Sequence, residues 1–298
     1  MNQTESHSRI RIWLLAARPK TLWAAVAPVV IGSSMAYEAA GFHWLSAAAA
    51  LISALFIQIG TNLANDYFDF KKGADTENRL GPMRVTQAGL LTPEQVKAAA
   101  HIAFKIAFLI GIYLVVRGGW PIVIIGLLSI LFGIIYTGGP SPLAYRGLGE
   151  IFVLIFFGPV AVGGTYYVQT LDINWTVIAA GFSPGLFSVA ILTVNNLRDI
   201  ESDKQAGKKT LAVRLGANYS KFQYIGSILF APFIPLVIWF NTSLHPYILI
   251  STAVLFLALP AIKKVMTYQS GIELNKVLES TGQLLMVFSI LFSIGWIL

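Results

Sequence analysis

Nine apolar runs, each near the length of a membrane-crossing helix and separated by polar segments, leave this chain few architectures. They centre on Val29, Ala54, Phe108, Ser129, Phe157, Val189, Leu229, Val254 and Phe288. A hydrocarbon layer of roughly 30 Å needs about 20 mostly apolar residues per helix, and inside it every backbone polar group must find an internal partner. The expected fold is an all-α integral membrane bundle of nine transmembrane helices, one polytopic domain over residues 1–298. Composition agrees: 56% of the residues are hydrophobic and 12% charged, which excludes an ordinary soluble globule. The polar, basic segment 1–11 leads into an apolar run without a small-residue cleavage site, and reads as the entry to a retained first helix. With no cysteine, disulfides, thiolate catalysis and Cys-bound metals are excluded.

Lys and Arg accumulate on the cytoplasmic side of membrane proteins. A cytoplasmic N-terminus places all but two of the 21 basic residues on inner segments; the exceptions are Arg117 and Lys105, the latter near an inner helix end. The net charge of +7 is therefore read as topology and not as a nucleic-acid-binding face, because the basic residues lie between apolar runs. The two longest connections, 70–97 and 200–221, both fall inside, so chemistry is expected there.

These two connections resemble each other. Each follows an Asn-x-x-x-Asp string, Asn65 to Asp69 and Asn195 to Asp199, and each continues to another acid, Asp75 or Asp203, then to Gly and basic residues. A weak internal duplication predicts two half-sites that face one another. At 100° per residue, Asn62, Asn65, Asp66 and Asp69 share one helix face, and Asn195, Asn196, Asp199 and Asp203 share another. An acid within the membrane costs roughly 2.5–3.5 kcal/mol on insertion scales, so several in one bundle call for compensation by a cation.

Asp and Asn oxygens suit Mg²⁺, which takes one or two carboxylates and completes its shell with water and phosphate oxygens. Asn65, Asp66, Asp69, Asn195, Asp199 and Asp203 are the candidate metal ligands, and a phosphorylated ligand is implied. Lys71, Lys72, Arg79, Arg84, Arg198, Lys208 and Lys209 are candidate donors to its oxygens. One such cluster is as often a polar helix end at the interface; two matched clusters favour a site.

The tract Tyr136-Thr-Gly-Gly-Pro-Ser-Pro-Leu-Ala-Tyr145-Arg146-Gly-Leu-Gly-Glu150 ends the fourth run and opens the fifth. Tyr136 is either an interfacial anchor or a group that meets a substrate oxygen or a cation, and Arg146 is placed to meet an anion. The entry Arg18-Pro19-Lys20-Thr21 is a positive-inside anchor or an anion contact. Gly207-Lys-Lys-Thr210 lacks the upstream glycine spacing of a phosphate-binding P-loop. His7, His43, His101 and His245 are scattered and suggest no metal site.

On four strings the sequence resembles the UbiA superfamily of intramembrane prenyltransferases, and within it the menaquinone branch, the 1,4-dihydroxy-2-naphthoate polyprenyltransferases. They are Ala17-Arg-Pro-Lys-Thr-Leu22, Asn62-Leu-Ala-Asn-Asp-Tyr67, Tyr136-Thr-Gly with Gly147-Leu-Gly-Glu150, and Asn195-Asn-Leu-Arg-Asp-Ile200. The 4-hydroxybenzoate branch carries Asn-Asp-x-x-Asp-x-x-x-Asp, whereas here five residues separate Asp69 from Asp75.

The resemblance implies transfer of a polyprenyl chain from polyprenyl diphosphate to 1,4-dihydroxy-2-naphthoate, with release of CO₂ and diphosphate, giving demethylmenaquinone. It implies Mg²⁺ on the two acidic motifs, catalytic roles for Asp75, Tyr136 and Arg198, and an aromatic acceptor near Arg18, Lys20, Tyr136 and Arg146. The expected setting is the lipid bilayer of a bacterial plasma membrane, with the active site facing the cytoplasm and no nucleic-acid partner. The alternatives are a different acceptor, such as 4-hydroxybenzoate or haem, or a secondary transporter. A transporter's acids should lie mid-helix in interrupted spans, and these lie at helix ends beside long basic loops.

Overall fold

A computed structural model describes residues 8–74 and 80–298, and the regular structure of these residues is entirely helical. Asp75 and Arg79 lie outside the described residues. Helix α1 (Arg9–Ala17) ends at Arg18, whose backbone is left-handed (φ 54°), and the chain bends by 53° before α2 (Trp23–Glu38). Helix α3 (Trp44–Lys71) starts at His43, whose ring accepts from the Ser46 amide. Helix α4 (Pro93–Gly118) is opened by a capping box between Thr92 and Gln95, with Pro93 in the first turn where its missing N–H is harmless. Gly119, at φ 67°, turns the chain into α5 (Trp120–Ile135).

The next crossing is split. Helices α6 (Gly149–Phe156) and α7 (Pro159–Thr170) are separated at Gly158, because Pro159 cannot continue the hydrogen-bond ladder of α6. Helix α8 (Trp175–Arg198), capped by Asn174, is followed through Asp199 by the short α9 (Ile200–Gln205). Thr210 caps α10 (Leu211–Phe230), which leads into α11 (Phe233–Thr242). A 3₁₀ segment, Pro246–Ala253, runs into α12 (Val254–Thr267), and α13 (Leu274–Ile297) completes the order.

Every one of the nine expected centres falls on a helix or a broken helix pair, and the protein is an integral membrane bundle. Among the described residues, 7 of these are long and apolar enough to cross a membrane, or 8 if α1 and α2 form one bent span. The 16-residue α5 is apolar but shorter than the rest. The interruptions follow Pro and Gly positions that a hydropathy window averages away.

Helix α8 is the central element, packed against α2, α6, α7, α10, α11 and α13. Ile31, Met35, Phe187, Tyr224, Phe288 and Phe292 form part of the core around it. Large apolar side chains such as Leu109, Trp120, Phe240 and Phe256 face outward, a surface that suits lipid and not water. With lipid outside, helices gain by close approach at small residues. Gly181 on α8 is such a place, since a Cβ there would lie 2.6 Å from Pro159 Cα and 2.9 Å from the Gly158 carbonyl carbon.

The obstructing atoms are backbone and cannot rotate away. Gly181→Leu should therefore destabilise the bundle by about 1–3 kcal/mol. A lowered thermal unfolding midpoint in detergent, followed by tryptophan fluorescence, checks this. Gly226→Ala, whose Cβ meets nothing closer than 4.0 Å, should leave the midpoint unchanged.

Candidate active site

The C-terminal ends of α3 and α8 meet at one end of a cavity of about 800 Å³. Asn62, Asn65 and Asp69 recur at helical spacing on the wall given by α3. Asn195, Asn196, Asp199 and Asp203 form the opposite wall, where α8 passes into α9. Away from this polar end the cavity runs between apolar side chains, including Phe108, Ile112, Phe132, Phe152, Phe156 and Ile191.

Asp69 is the hub. It is 2% exposed; its Oδ2 accepts from Arg84 at 3.4 Å and from Lys208 at 3.1 Å, and its Oδ1 from the Tyr145 hydroxyl at 3.3 Å. The Lys208 ammonium is also 3.6 Å from Asp203 Oδ1, so one cation stands between an acid of each half-site. On the second wall, Arg198 folds side-on against Asp199, donating from Nε to Oδ1 at 2.7 Å and from Nη2 to Oδ2 at 2.6 Å. It also donates to Asn195 Oδ1 at 2.7 Å and to Asn275 Oδ1, from α13, at 2.9 Å.

The Gly/Pro tract between α5 and α6 closes over this arrangement. Thr137 donates its hydroxyl to Asn65 Oδ1 at 2.7 Å, and Lys72 reaches the Thr137 carbonyl at 2.7 Å with its ammonium 4.6 Å from the Tyr145 ring centre. Burial pulls the Lys72 ammonium below its ordinary pKa, against the opposing effect of Asp69. Gly147, left-handed at φ 69°, leaves room for the Lys209 carbonyl, which a Cβ would meet at 2.9 Å. The Lys209 amide donates to the Tyr145 carbonyl at 3.1 Å, and Lys208 is thereby delivered into the cavity. Glu150, opening α6, accepts from Asn196 at 3.0 Å and ties the tract to α8. The Tyr136 ring lines the cavity, and its hydroxyl lies where a Cβ on Gly149 would meet it at 2.9 Å.

The structure thus brings Arg18, Asn65, Asp69, Arg84, Tyr136, Asn195, Asp199, Asp203 and Lys208 onto one wall system. Asp66 is buried off that wall, where its Oδ2 accepts from the Val85 amide at 3.2 Å. Arg198 stands behind the wall with the partners named above, and Lys72 is an exposed residue held at the Thr137 carbonyl. Lys71 and Lys209 are exposed, as is Arg146, and Lys20 points outward to Glu279 at 2.7 Å. Asp75 lies outside the described residues. Sequence reasoning gave no role to Thr137, Tyr145 and Asn275. The first two sit in the tract it singled out, whereas Asn275 is an isolated Asn on a distant helix and carries no local signal. Among the described residues no three His, Asp or Glu side chains form a ready-made metal cluster.

Residues 25–292 match the UbiA prenyltransferase family, and the chain belongs to it. The chain is 37% identical to a 1,4-dihydroxy-2-naphthoate octaprenyltransferase of Haemophilus influenzae, over 97% of this chain and 96% of that protein. It is 38% identical to the Mycobacterium tuberculosis protein of the same name, over 93% and 94% of the two chains. A solved UbiA homolog from Archaeoglobus fulgidus, bound to GPP and Mg²⁺, has the same fold, with a TM-score of 0.65 at 12% identity over 96% of this chain and 99% of its own.

The contact between Gly149 and Tyr136 gives a test of the cavity wall. Gly149→Ala should displace the Tyr136 hydroxyl and lower kcat for prenyl transfer by about tenfold or more, since small displacements in a catalytic site carry such costs. Steady-state kinetics, with the thermal midpoint as a control for folding, checks the expectation.

Proposed function

We propose that this chain transfers a polyprenyl group from its diphosphate to 1,4-dihydroxy-2-naphthoate, releasing diphosphate and CO₂. Residues 1–298 act as one domain with nine crossings, in a bacterial plasma membrane. The distribution of Lys and Arg supports a cytoplasmic N-terminus and a site open to the cytoplasm. The observation that carries the reading is the convergence of both Asn-x-x-x-Asp strings with Arg84 and Lys208 at the polar end of an apolar-walled cavity. A charged head and a long hydrocarbon tail need such a division. The naphthoate relatives at 37% and 38% identity support the choice of acceptor.

The residues present fit Mg²⁺. The donors on the wall are oxygens of Asn65, Asp69, Asn195, Asp199 and Asp203, and Asp69 and Asp203 already share one cation, the Lys208 ammonium. Mg²⁺ bound to this set supplies positive charge that stabilises a departing diphosphate. Arg84 and Lys208 are the donors to the diphosphate oxygens.

When the allylic C–O bond breaks, its electron pair leaves on the diphosphate oxygen and an allylic cation remains. Tyr136 and the aromatic wall of Phe132, Phe152 and Phe156 keep water from that cation and face it with π-systems. The ring carbon that bears the carboxylate then forms the new C–C bond. Loss of CO₂ returns the electrons of the carboxyl bond to the ring, so atoms and charge balance without a proton acceptor. The immediate product is the prenylated naphthalenediol, the reduced form of demethylmenaquinone. Arg18, on the cavity wall, is the group that orients the acceptor carboxylate, whereas Lys20 and Arg146 face outward.

Purified protein in nanodiscs with Mg²⁺, a polyprenyl diphosphate and a panel of aromatic acceptors tests the reading. The expected result is one prenylated product, from dihydroxynaphthoate, with matching CO₂ release; transfer only to 4-hydroxybenzoate would overturn it. Asp69→Ala and Asp199→Ala should each abolish turnover in folded protein, and full activity in either removes the diphosphate site from this position.

A further inference from the structure

We infer that Asp66 is a positioning residue, which fixes the connection between α3 and α4 and so aims Arg84 at the diphosphate, and that it is not a metal ligand. The inference rests on the diphosphate reading of the cavity. At 100° per residue, Asp66 is set about 100° around α3 from Asn65, and it leaves the cavity wall. It is 1% exposed and sits under the segment that returns from α3 to α4. Its Oδ2 accepts from the Val85 amide at 3.2 Å, while its Oδ1 is buried with no hydrogen-bond partner among the described residues. Val85 is 0% exposed and packs with Leu63, Ala64, Val96, Ala100 and Phe104, so the tie lies deep in a core.

The amide nitrogen of Val85 belongs to the same peptide plane as the Arg84 carbonyl. Holding that nitrogen therefore orients the bond from which the Arg84 side chain departs. The Arg84 guanidinium lines the cavity and reaches Asp69 Oδ2 at 3.4 Å. Two acids three residues apart on α3 thus grip one arginine at both ends, Asp66 at its main chain and Asp69 at its guanidinium. Within the segment, the Ala88 amide donates to the Arg84 carbonyl at 2.9 Å, and the Leu90 amide to the Val85 carbonyl at 3.0 Å. Those bonds make a self-contained turn. The Asp66 contact ties the backbone of that turn to α3, and the Asn275 donation to the Leu80 carbonyl at 2.8 Å holds its other end against α13. A carboxylate at Asp66 is expected to differ from one at Asp69 in what it controls: the affinity for the diphosphate and not the response to Mg²⁺.

The test uses full-length protein in nanodiscs and reads thermal stabilisation, which needs no turnover. Geranyl diphosphate is titrated at saturating Mg²⁺, and Mg²⁺ at saturating geranyl diphosphate. Asp66→Val should weaken the diphosphate midpoint about tenfold, the loss of one well-placed charged donor, and leave the Mg²⁺ midpoint within about twofold. Asp66→Asn, whose amide oxygen can still accept from Val85, should restore the diphosphate midpoint to within about threefold of wild type. Asp69→Asn should move the Mg²⁺ midpoint by more than about tenfold. In an Arg84→Gln background, Asp66→Val should add little, because the group it aims is gone.

Hydrogen exchange of the Val85 amide should quicken in Asp66→Val and stay slow in Asp66→Asn. If Asp66→Asn shifts the Mg²⁺ midpoint as far as Asp69→Asn, or if Asp66→Val binds geranyl diphosphate as wild type does, the positioning role is overturned by itself. Wild-type protein that no combination of Mg²⁺ and geranyl diphosphate stabilises would overturn the diphosphate reading, and this inference with it.

Discussion

The constraint on which the rest depends is the neutralisation of acids at the end of an apolar bundle. Two opposite charges at 4 Å attract by about 4 kcal/mol at an effective dielectric of 20, and an unpaired one costs several kcal/mol to bury. Asp69 answers this with Arg84, Lys208 and Tyr145, and Asp199 with Arg198. The three partners of Asp69 arrive from different parts of the chain, so these contacts help decide which loops lie over the helix ends. The segment between α3 and α4 brings Arg84, the segment after α9 brings Lys208, and the tract between α5 and α6 brings Tyr145.

The backbone breaks serve the same end. The tract between α5 and α6 needs Gly147 in the left-handed region because the Lys209 carbonyl occupies the place of a side chain. The break at Gly158 lets α6 and α7 run as two short helices past α8, and Phe156, Phe157 and Val160 around it line the apolar part of the cavity. A single straight helix would present one continuous stripe in that place. The cost of broken hydrogen bonds is met by packing against Gly181 and Gly185, where α8 comes close enough for backbone contact.

Much of this was legible in the sequence, for identifiable reasons. Apolar runs report helices because a bilayer allows few other structures, and the paired strings report a divided site because both end on polar, basic connections. Which bases enter the site was not legible. Of the seven bases offered for the diphosphate, Arg84 and Lys208 line the cavity, Lys71, Lys72 and Lys209 are exposed, Arg198 is buried against Asp199, and Arg79 lies outside the described residues. Neighbours such as Lys208 and Lys209 share composition and differ only in the direction that a loop gives them. The place of Asp66 was not legible for a related reason: a one-residue step on a helix is a 100° rotation, enough to leave the wall while staying within the motif. Asn275 was invisible, because nothing near it in sequence marks the approach of α13 to Arg198.

The charge balance of the wall bears on what the site can accept. Among the described residues lining the cavity, Asp69, Asp199 and Asp203 stand with Arg18, Arg84 and Lys208, and Arg198 pairs Asp199 from behind, so the acids have their bases before any ligand arrives. A divalent cation alone would add positive charge among bases already in place, and a diphosphate alone would add negative charge beside three acids. Among buried charges either excess is costly, because partly buried charges are screened far less than exposed ones. Together the two would largely cancel, and under the proposed function each would have its own set of partners: the metal the oxygens of the two strings, the phosphate oxygens Arg84 and Lys208. A site balanced in this way would favour the paired ligand over either component, at the end of the cavity from which apolar walls lead away for a hydrocarbon tail.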